Sequence, residues 1–381
     1  MRFSEFDEAW NRSSLSKVSF PLEYGIGASA VDFDGKNRYI RITDISNYTE
    51  EQTMFVSPSF IDEKALLKNN DILLARTGAT VGDSFIYKEK NDYRSYYAGF
   101  LIRARINNNN PGFVYYQLKT NRYKKWVKIM SARSGQPGIN SQEYGSFTLF
   151  LPHNKEQDKI ALLMTIIDER IETQSKIIEK LESLKIGIKE RIYLLGKTKE
   201  PLERILHEVS EKSTVQNQYP VLSSTVKGLF LQSEYFDRAI ASENNIGYKI
   251  VHKGQIIISP QNLWMGNLTF NDKYESGIVS PSYKIYEIDS KYSKKYIHWL
   301  LTSKRSFFNY GLVSEQGASI VRRNLNIDAF MELCLPIIKD NDDESKIEKL
   351  IDLIEKKLES EKKRGALLNQ QKQFLLSNLF I

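Results

Sequence analysis

The sequence predicts an α+β fold built in tandem. Two globular α/β halves are each followed by one long helix, and the two helices pair antiparallel as a coiled coil, giving a pseudo-twofold repeat. Two observations predict this: a self-similarity at about half the chain length and a long apolar stripe after each half. "DILLARTGATVG" (71–82) aligns with "QIIISPQNLWMG" (255–266) at an offset of 184. "YQLKTNR" (116–122) aligns with "HWLLTSK" (298–304) at 182, and both read as helix starts. "LFLP" (149–152) aligns with "LCLP" (333–336) at 184. Landmarks repeated in one order mark a duplicated unit. The expected divisions are 1–152 and 201–338 for the globular domains, with spacer helices in 153–200 and 339–381.

The long helices follow from spacing. Ile160, Met164, Ile167, Ile171, Gln174, Ile178, Leu181, Lys185, Ile188, Ile192 and Leu195 alternate steps of four and three. So do Ile347, Ile351, Ile354, Leu358, Glu361, Gly365, Leu368, Lys372, Leu375 and Leu379. That is the a/d seam of a coiled coil. The polar interruptions coincide, Gln174 with Glu361 and Lys185 with Lys372, each at offset 187. Polar seam positions set register at a cost in stability, so matched ones suggest helices built for each other. Each globular half leads into one helix and the chain must return for the second, so the pair is expected to run antiparallel. The acid-rich "DNDDESK" (340–346) then reads as the start of the second helix, where carboxylates favour the positive end of the dipole.

The stretch "EYGIGASAVDFDGKNRYIRITDIS" (23–46) imitates a dinucleotide fingerprint through Gly25, Gly27 and Ala30, with Asp44 downstream. The fingerprint has meaning only between a buried strand and a helix whose N-terminus holds the pyrophosphate. Here Pro21 precedes it, Gly35 interrupts any helix, and "RYIRITDI" alternates like a strand. The glycines therefore read as turn formers leading into that strand. "RTGATVG" lacks the G-K-[ST] of a phosphate loop, and "NNPGF" (109–113) is not the base-holding clamp of an adenine methyltransferase. His153, His207, His252 and His298 are scattered, which gives neither a metal site nor a Ser-His triad support. Cys334, the one cysteine, excludes an intrachain disulfide and reads as a buried small hydrophobe.

Net charge is +7 with 12% aromatic residues, 21 of them Tyr, which permits a polyanionic partner. Residues 93–142 hold nine Lys or Arg and no acid: Arg94, Arg103, Arg105, Lys119, Arg122, Lys124, Lys125, Lys128 and Arg133. Residues 290–327 hold seven basic residues against Glu315 alone. Aromatics interleave in both, a pattern suited to phosphate contact beside loops that read bases. "MRFSEFDEAWNRSS" has no apolar core segment and no run approaches a bilayer span, so a cytoplasmic location without a signal peptide is expected.

These features together resemble the DNA-specificity (S) subunit of type I restriction-modification systems. "LPHNKEQDKIALLMTIIDERIETQSKIIEKLESLKIGIKERIY" is similar to that family's central helical region with its Leu-Pro and Glu-Gln, and "NNDILLARTGATVG" and "YGIGASAVDFDGKNRYIRITDIS" to its target-recognition domains. The second half departs from the pattern: "LPIIKDNDDESK" lacks the Glu-Gln and "QIIISPQNLWMG" the Arg-Thr-Gly. The resemblance implies a non-catalytic reader of double-stranded DNA, each recognition domain on one half of a split target, with the helices as spacer. It further implies two methyltransferase (modification) subunits docked on the helices, and restriction/translocase subunits. S-adenosylmethionine, ATP and Mg would be bound by those partners and no cofactor by this chain.

The residues expected at DNA are Arg38 and Arg41 in the first strand, and Arg76 and Thr77 in the loop after "DILLA". Lys124 and Lys125 follow on a helix, then Arg133 and Gln136 in "SARSGQPGIN". The repeat places Gln261, Asn262 and Trp264 at the second loop position, and Arg322 and Arg323 at the second basic turn. Two other readings stay open at this point: a DNA methyltransferase or nuclease with its own recognition domains, and a coiled-coil scaffold without a DNA role.

Overall fold

The computed structural model describes residues 2–45, 54–89, 92–132, 136–235, 244–316 and 323–380. The fold is α+β. It divides into two units, Met1–Ser175 with Lys363–Ile381, and Lys176–Lys362. The first unit is thus made from both ends of the chain, and both division points fall inside the long helices.

The two units share one topology. The first holds an antiparallel four-stranded sheet in the order Glu23–Tyr24, Leu101–Ala104, Ile72–Ala75, Ser84–Ile86. The second holds Leu206–Val209, Lys284–Ile288, Gln255–Ile258, Leu268–Phe270 in the same order. Each is accompanied by a strand pair that joins the two ends of its globular part: Asn11–Ser14 with Thr148–Leu151, and Thr198–Pro201 with Cys334–Ile337. The third strand in each order, Ile72–Ala75 or Gln255–Ile258, is a central strand buried on both faces, which is why "DILLA" and "QIII" read as continuous apolar runs. Alternation sends Ile72 and Leu74 into one core with Val114, Tyr123 and Tyr144, and Leu73 and Ala75 into another with Tyr96 and Tyr97.

Helices follow each sheet in the same sequence. Pro111–Gln117, Asn121–Met130 and Ser141–Gly145 in the first unit answer Lys294–Leu301, Lys304–Leu312 and Ile327–Glu332 in the second. "NNPGF" is a helix start: the Asn110 side chain accepts from the Phe113 N–H at 3.0 Å, and Pro111 takes the first helical position where no N–H is needed. "YQLKTNR" and "HWLLTSK" are not helix starts. They span the corner between two helices, and the residues that cap the second one are Thr120 and Ser303. The caps stand 183 apart, one more than the offset at which the Leu and Thr letters matched.

The long helices run Asn154–Leu195 and Asn341–Asn378. Asp340 begins the second by accepting from the N–H groups of Asp342 and Asp343 at 2.9 and 3.2 Å. Every seam residue except Leu195 is buried or half-buried. Within the first unit Ile160, Met164 and Ile167 share a core with Leu375, Leu376 and Leu379. Within the second, Ile188 and Ile192 meet Ile347, Ile351 and Ile354. Low numbers on one helix meet high numbers on the other, so the helices pair antiparallel in each unit.

Three local expectations are corrected. The strand in "RYIRITDI" covers only Asn37–Ile40; Ile42–Ile45 is a helical turn, closed by the Asp44 carboxylate, which accepts from the Arg41 backbone N–H at 2.8 Å. Gly25 is not a turn former. A Cβ there would stand 2.2 Å from the Tyr97 carbonyl oxygen, so the residue is glycine because two backbones nearly touch. Cys334 is exposed rather than buried, at the start of a strand where only alternate side chains face the core.

Candidate nucleic-acid interface

The loop after the central strand is held by a second loop from far along the chain. In the first unit the Arg76 N–H donates to Phe100 O at 3.1 Å, while Ile139 N–H donates to Arg76 O at 2.9 Å and Gly78 N–H to Pro137 O at 3.2 Å. Gly78 takes a left-handed φ of 79°, which lets the chain turn back after Thr77. Thr77 bridges to Gly138, and exposed Gln136 lies beside Gly78. The Arg76 guanidinium lies 4.9 Å from the ring centre of Tyr24, whose hydroxyl accepts from Ser141 N–H at 3.0 Å. No carboxylate among the described residues pairs with Arg76. Tyr24 and Phe100 are 42% and 60% exposed, so the surface combines a free cation, a hydroxyl, an amide and two aromatic faces. Such groups suit both stacking and base-edge hydrogen bonding.

The second unit repeats the arrangement with other side chains. Arg323 N–H donates to Gln261 O at 3.2 Å, the counterpart of the Ile139–Arg76 bond. The Arg323 guanidinium stacks 4.3 Å from the centre of Trp264 and reaches Gly311 O at 3.4 Å. Gln261 is exposed, and Asn262 is half-buried at the start of the turn Leu263–Met265. Gly266 ends that turn in a left-handed φ of 101°, as Gly82 does at 90° in the first unit. Added Cβ atoms there would meet Phe307 and Val127 respectively, each on the helix that follows. Both glycines serve turn geometry, and Gly82 also permits the close approach of Val127.

Of the nine basic residues in 93–142, most are consumed inside the first unit. Arg94 pairs with Glu63 and Arg103 with Glu23, and Arg105 meets Asp71 at 2.7 Å. Lys119 donates to Ser84 O at 2.6 Å, and burial lowers its ammonium to about 8. Arg122 stacks on Phe150 and donates to Gln117. Lys124, Lys125 and Lys128 remain exposed on Asn121–Met130, with no carboxylate partner among the described residues. Arg38, expected at DNA, is 3% exposed, with its guanidinium 4.2 Å from the centre of Phe55 and donating to Tyr93. A side chain so enclosed presents no donor to a phosphate. Arg41 is half-buried in a two-bond pair with Asp44, both at 3.1 Å, which neutralises it. Arg133 and Arg322 lie outside the described residues.

One histidine has polar partners that its sequence neighbours do not show. His252 lies between Ser276 Oγ at 2.9 Å and Glu211 Oε2 at 2.9 Å, a cross-strand contact that a separation of 24 residues conceals. The imidazole is 40% exposed at a strand end, where such a contact is an ordinary solvated one. His298 stacks on Phe270, and desolvation, reinforced by Lys189 and Lys185, pushes it down to about 3. Among the described residues, no group of three or more His, Cys, Asp or Glu forms a metal-binding cluster, and no helix is long and apolar enough to cross a membrane.

Residues 26–183 match the family described as the type I restriction modification DNA specificity domain. The type I restriction enzyme MjaVIII specificity subunit of Methanocaldococcus jannaschii is 23% identical over 137 residues, 35% of this chain and 31% of that protein. The match thus spans about a third of the curated relative. Among solved structures, the type I restriction-modification S subunit from M. genitalium is similar at a TM-score of 0.62 and 15% identity, covering 100% of this chain and 97% of that one. A chain from a structure concerned with complex assembly and conformational transition of the type I system gives 0.56 at 11% identity, with 97% of each covered. At such identities these structures share the fold.

Proposed function

We propose, from the match of residues 26–183 to the type I restriction modification DNA specificity domain, that the chain is a sequence-specific DNA-binding specificity subunit. Each unit reads one half of a split target and the helical pair separates the readers. The observation that carries this reading is the repeated pairing of loops, Arg76 with Ile139 and Gln261 with Arg323. The same frame presents different side chains twice, which is what two independent readings of DNA require. Lys124, Lys125 and Lys128, exposed on the helix whose Val127 packs against Gly82, supply phosphate contacts, which position without specifying.

The helices support a docking role for two methyltransferase subunits. Ile166 and Leu353 occupy equivalent positions, 187 residues apart, and both are exposed apolar residues. A matched exposed apolar position on each helix suits two copies of one partner. On this reading the chain catalyses nothing itself. S-adenosylmethionine, ATP and Mg are bound by the methyltransferase and restriction subunits, and the complex works in the cytoplasm.

The test is to map methylated sites in cells with and without the chain, and again after replacing 201–338 with the matching segment of another such subunit. One half of a split site should change and the other persist. Binding of S-adenosylmethionine by the purified chain alone would favour the methyltransferase reading instead, and absence of salt-sensitive DNA affinity would favour the scaffold.

A further inference from the structure

Each unit contains one carboxylate that ties three elements together. In the first unit Asp168, on the first long helix, accepts from the Tyr116 hydroxyl at 3.0 Å and meets Lys372 of the second long helix at 2.5 Å. In the second unit Glu355, on the second long helix, accepts from the Trp299 indole N–H at 3.0 Å and meets Lys185 of the first long helix at 3.0 Å. Asp168 and Glu355 stand 187 residues apart, as do Lys185 and Lys372, so the long helices exchange roles between the units. Lys185 and Lys372 are the matched polar interruptions of the apolar seam.

The side chains differ but their reach is complementary. The tyrosine hydroxyl extends far from its backbone and meets the shorter Asp. The indole N–H lies closer in and meets the longer Glu. Tyr116 and Trp299 are buried, 4% and 1% exposed, and each sits on the first helix after its sheet, one corner before the helix that closes on Gly82 or Gly266. A buried donor aimed at a carboxylate has few alternative orientations, and a charge-assisted hydrogen bond is the stronger kind. An apolar seam permits sliding and rotation, whereas a polar contact within it fixes register.

We propose that Tyr116–Asp168–Lys372 and Trp299–Glu355–Lys185 are positioning locks. Each fixes the recognition loops of its unit against both long helices, and together they confine the protein to one spacing of a split target. The proposal rests on the specificity-subunit reading, since spacing has meaning only for a reader of two half-sites.

The experiment selects DNA by the full-length chain from a library of randomised half-sites separated by gaps of varied length. Asp168→Asn and Glu355→Gln, singly and together, keep side-chain size and remove the charge. Ile167→Val, in the same core as Met164 and Leu375, serves as a control for loss of stability alone.

Sites with gaps about one base pair longer or shorter should rise about tenfold in Asp168→Asn and Glu355→Gln, the loss of one charge-assisted bond. Half-site sequences should stay unchanged, and Ile167→Val should keep the wild-type gap. A single unaltered gap in the Asn and Gln variants, or equal loosening in Ile167→Val, overturns the locks and leaves the specificity reading intact. A wild-type chain that selects no split sequence overturns both.

Discussion

The backbone N–H of Ile139 donates to the carbonyl oxygen of Arg76 at 2.9 Å, and this bond joins the two loops that form the candidate reading surface of the first unit. With the loop backbone held, the Arg76 side chain projects over Tyr24 with no carboxylate partner among the described residues. Its donors remain available.

Arg76→Ala should therefore weaken specific DNA binding by roughly 1–3 kcal/mol, the range for a base-edge arginine, with little change in nonspecific affinity. Lys124→Ala with Lys125→Ala should weaken binding to all sequences and reduce the salt slope by about one unit for each phosphate that these ammonium groups neutralise. Titrations over a range of salt separate the two effects. Unchanged affinity and slope in both variants would remove this face from the interface.

Spacing offers a second prediction. Duplicating Ile178–Leu181 in the first long helix adds four residues, about 6 Å, against about 3.4 Å per base step. The insertion is close to one helical turn, a stutter that a coiled coil absorbs. With Gly365–Leu368 also duplicated in the second helix, the gap between unchanged half-sites should grow by about one to two base pairs in methylation maps. An unchanged gap in active protein refutes the spacer role.

Gly25 and Gly27 look alike in sequence and should behave oppositely. A Cβ at Gly25 would clash with the carbonyls of Tyr97 and Ala98, whereas Gly27 faces open space. Gly25→Ala should cost about 2–4 kcal/mol in denaturant unfolding, and Gly27→Ala should stay within about 0.5 kcal/mol of the parent. Equal effects would show that the backbone approach at residue 25 is relaxed in solution.

Acid sensitivity should localise to His298. Its folded-state value of about 3 lies below the ordinary imidazole value of 6.5 because the ring is desolvated and faces Lys189 and Lys185. The unfolded chain takes up a proton below about pH 6.5 and the folded chain does not, so stability present above that pH falls as pH drops towards 3. The loss is at most about 1.4 kcal/mol per pH unit. His298→Phe should flatten the dependence of the melting temperature on pH between 6.5 and 4; an unaltered slope would assign the acid sensitivity to other groups.

Periodic and local features were legible in the sequence. The four-three spacing marked the two long helices because burial of one helix face needs only local repetition, and the return of the chain between them implied that they pair antiparallel. The repeat showed that one topology occurs twice, and the loops after "DILLA" and "QIII" are where buried strands must end and polar chain must emerge. What tertiary structure decided is which charges stay free. Arg38, Arg103 and Arg105 read as basic surface, yet Phe55, Glu23 and Asp71, distant in sequence, enclose or neutralise them. Tyr24 reaches Arg76, Ser276 reaches His252, and Asp168 joins Tyr116 to Lys372 through folding alone. The closure of the first unit by Lys363–Ile381 belongs with these. Helical period is set by neighbours a few residues away, whereas desolvation and ion pairing depend on groups that meet only once the chain has folded.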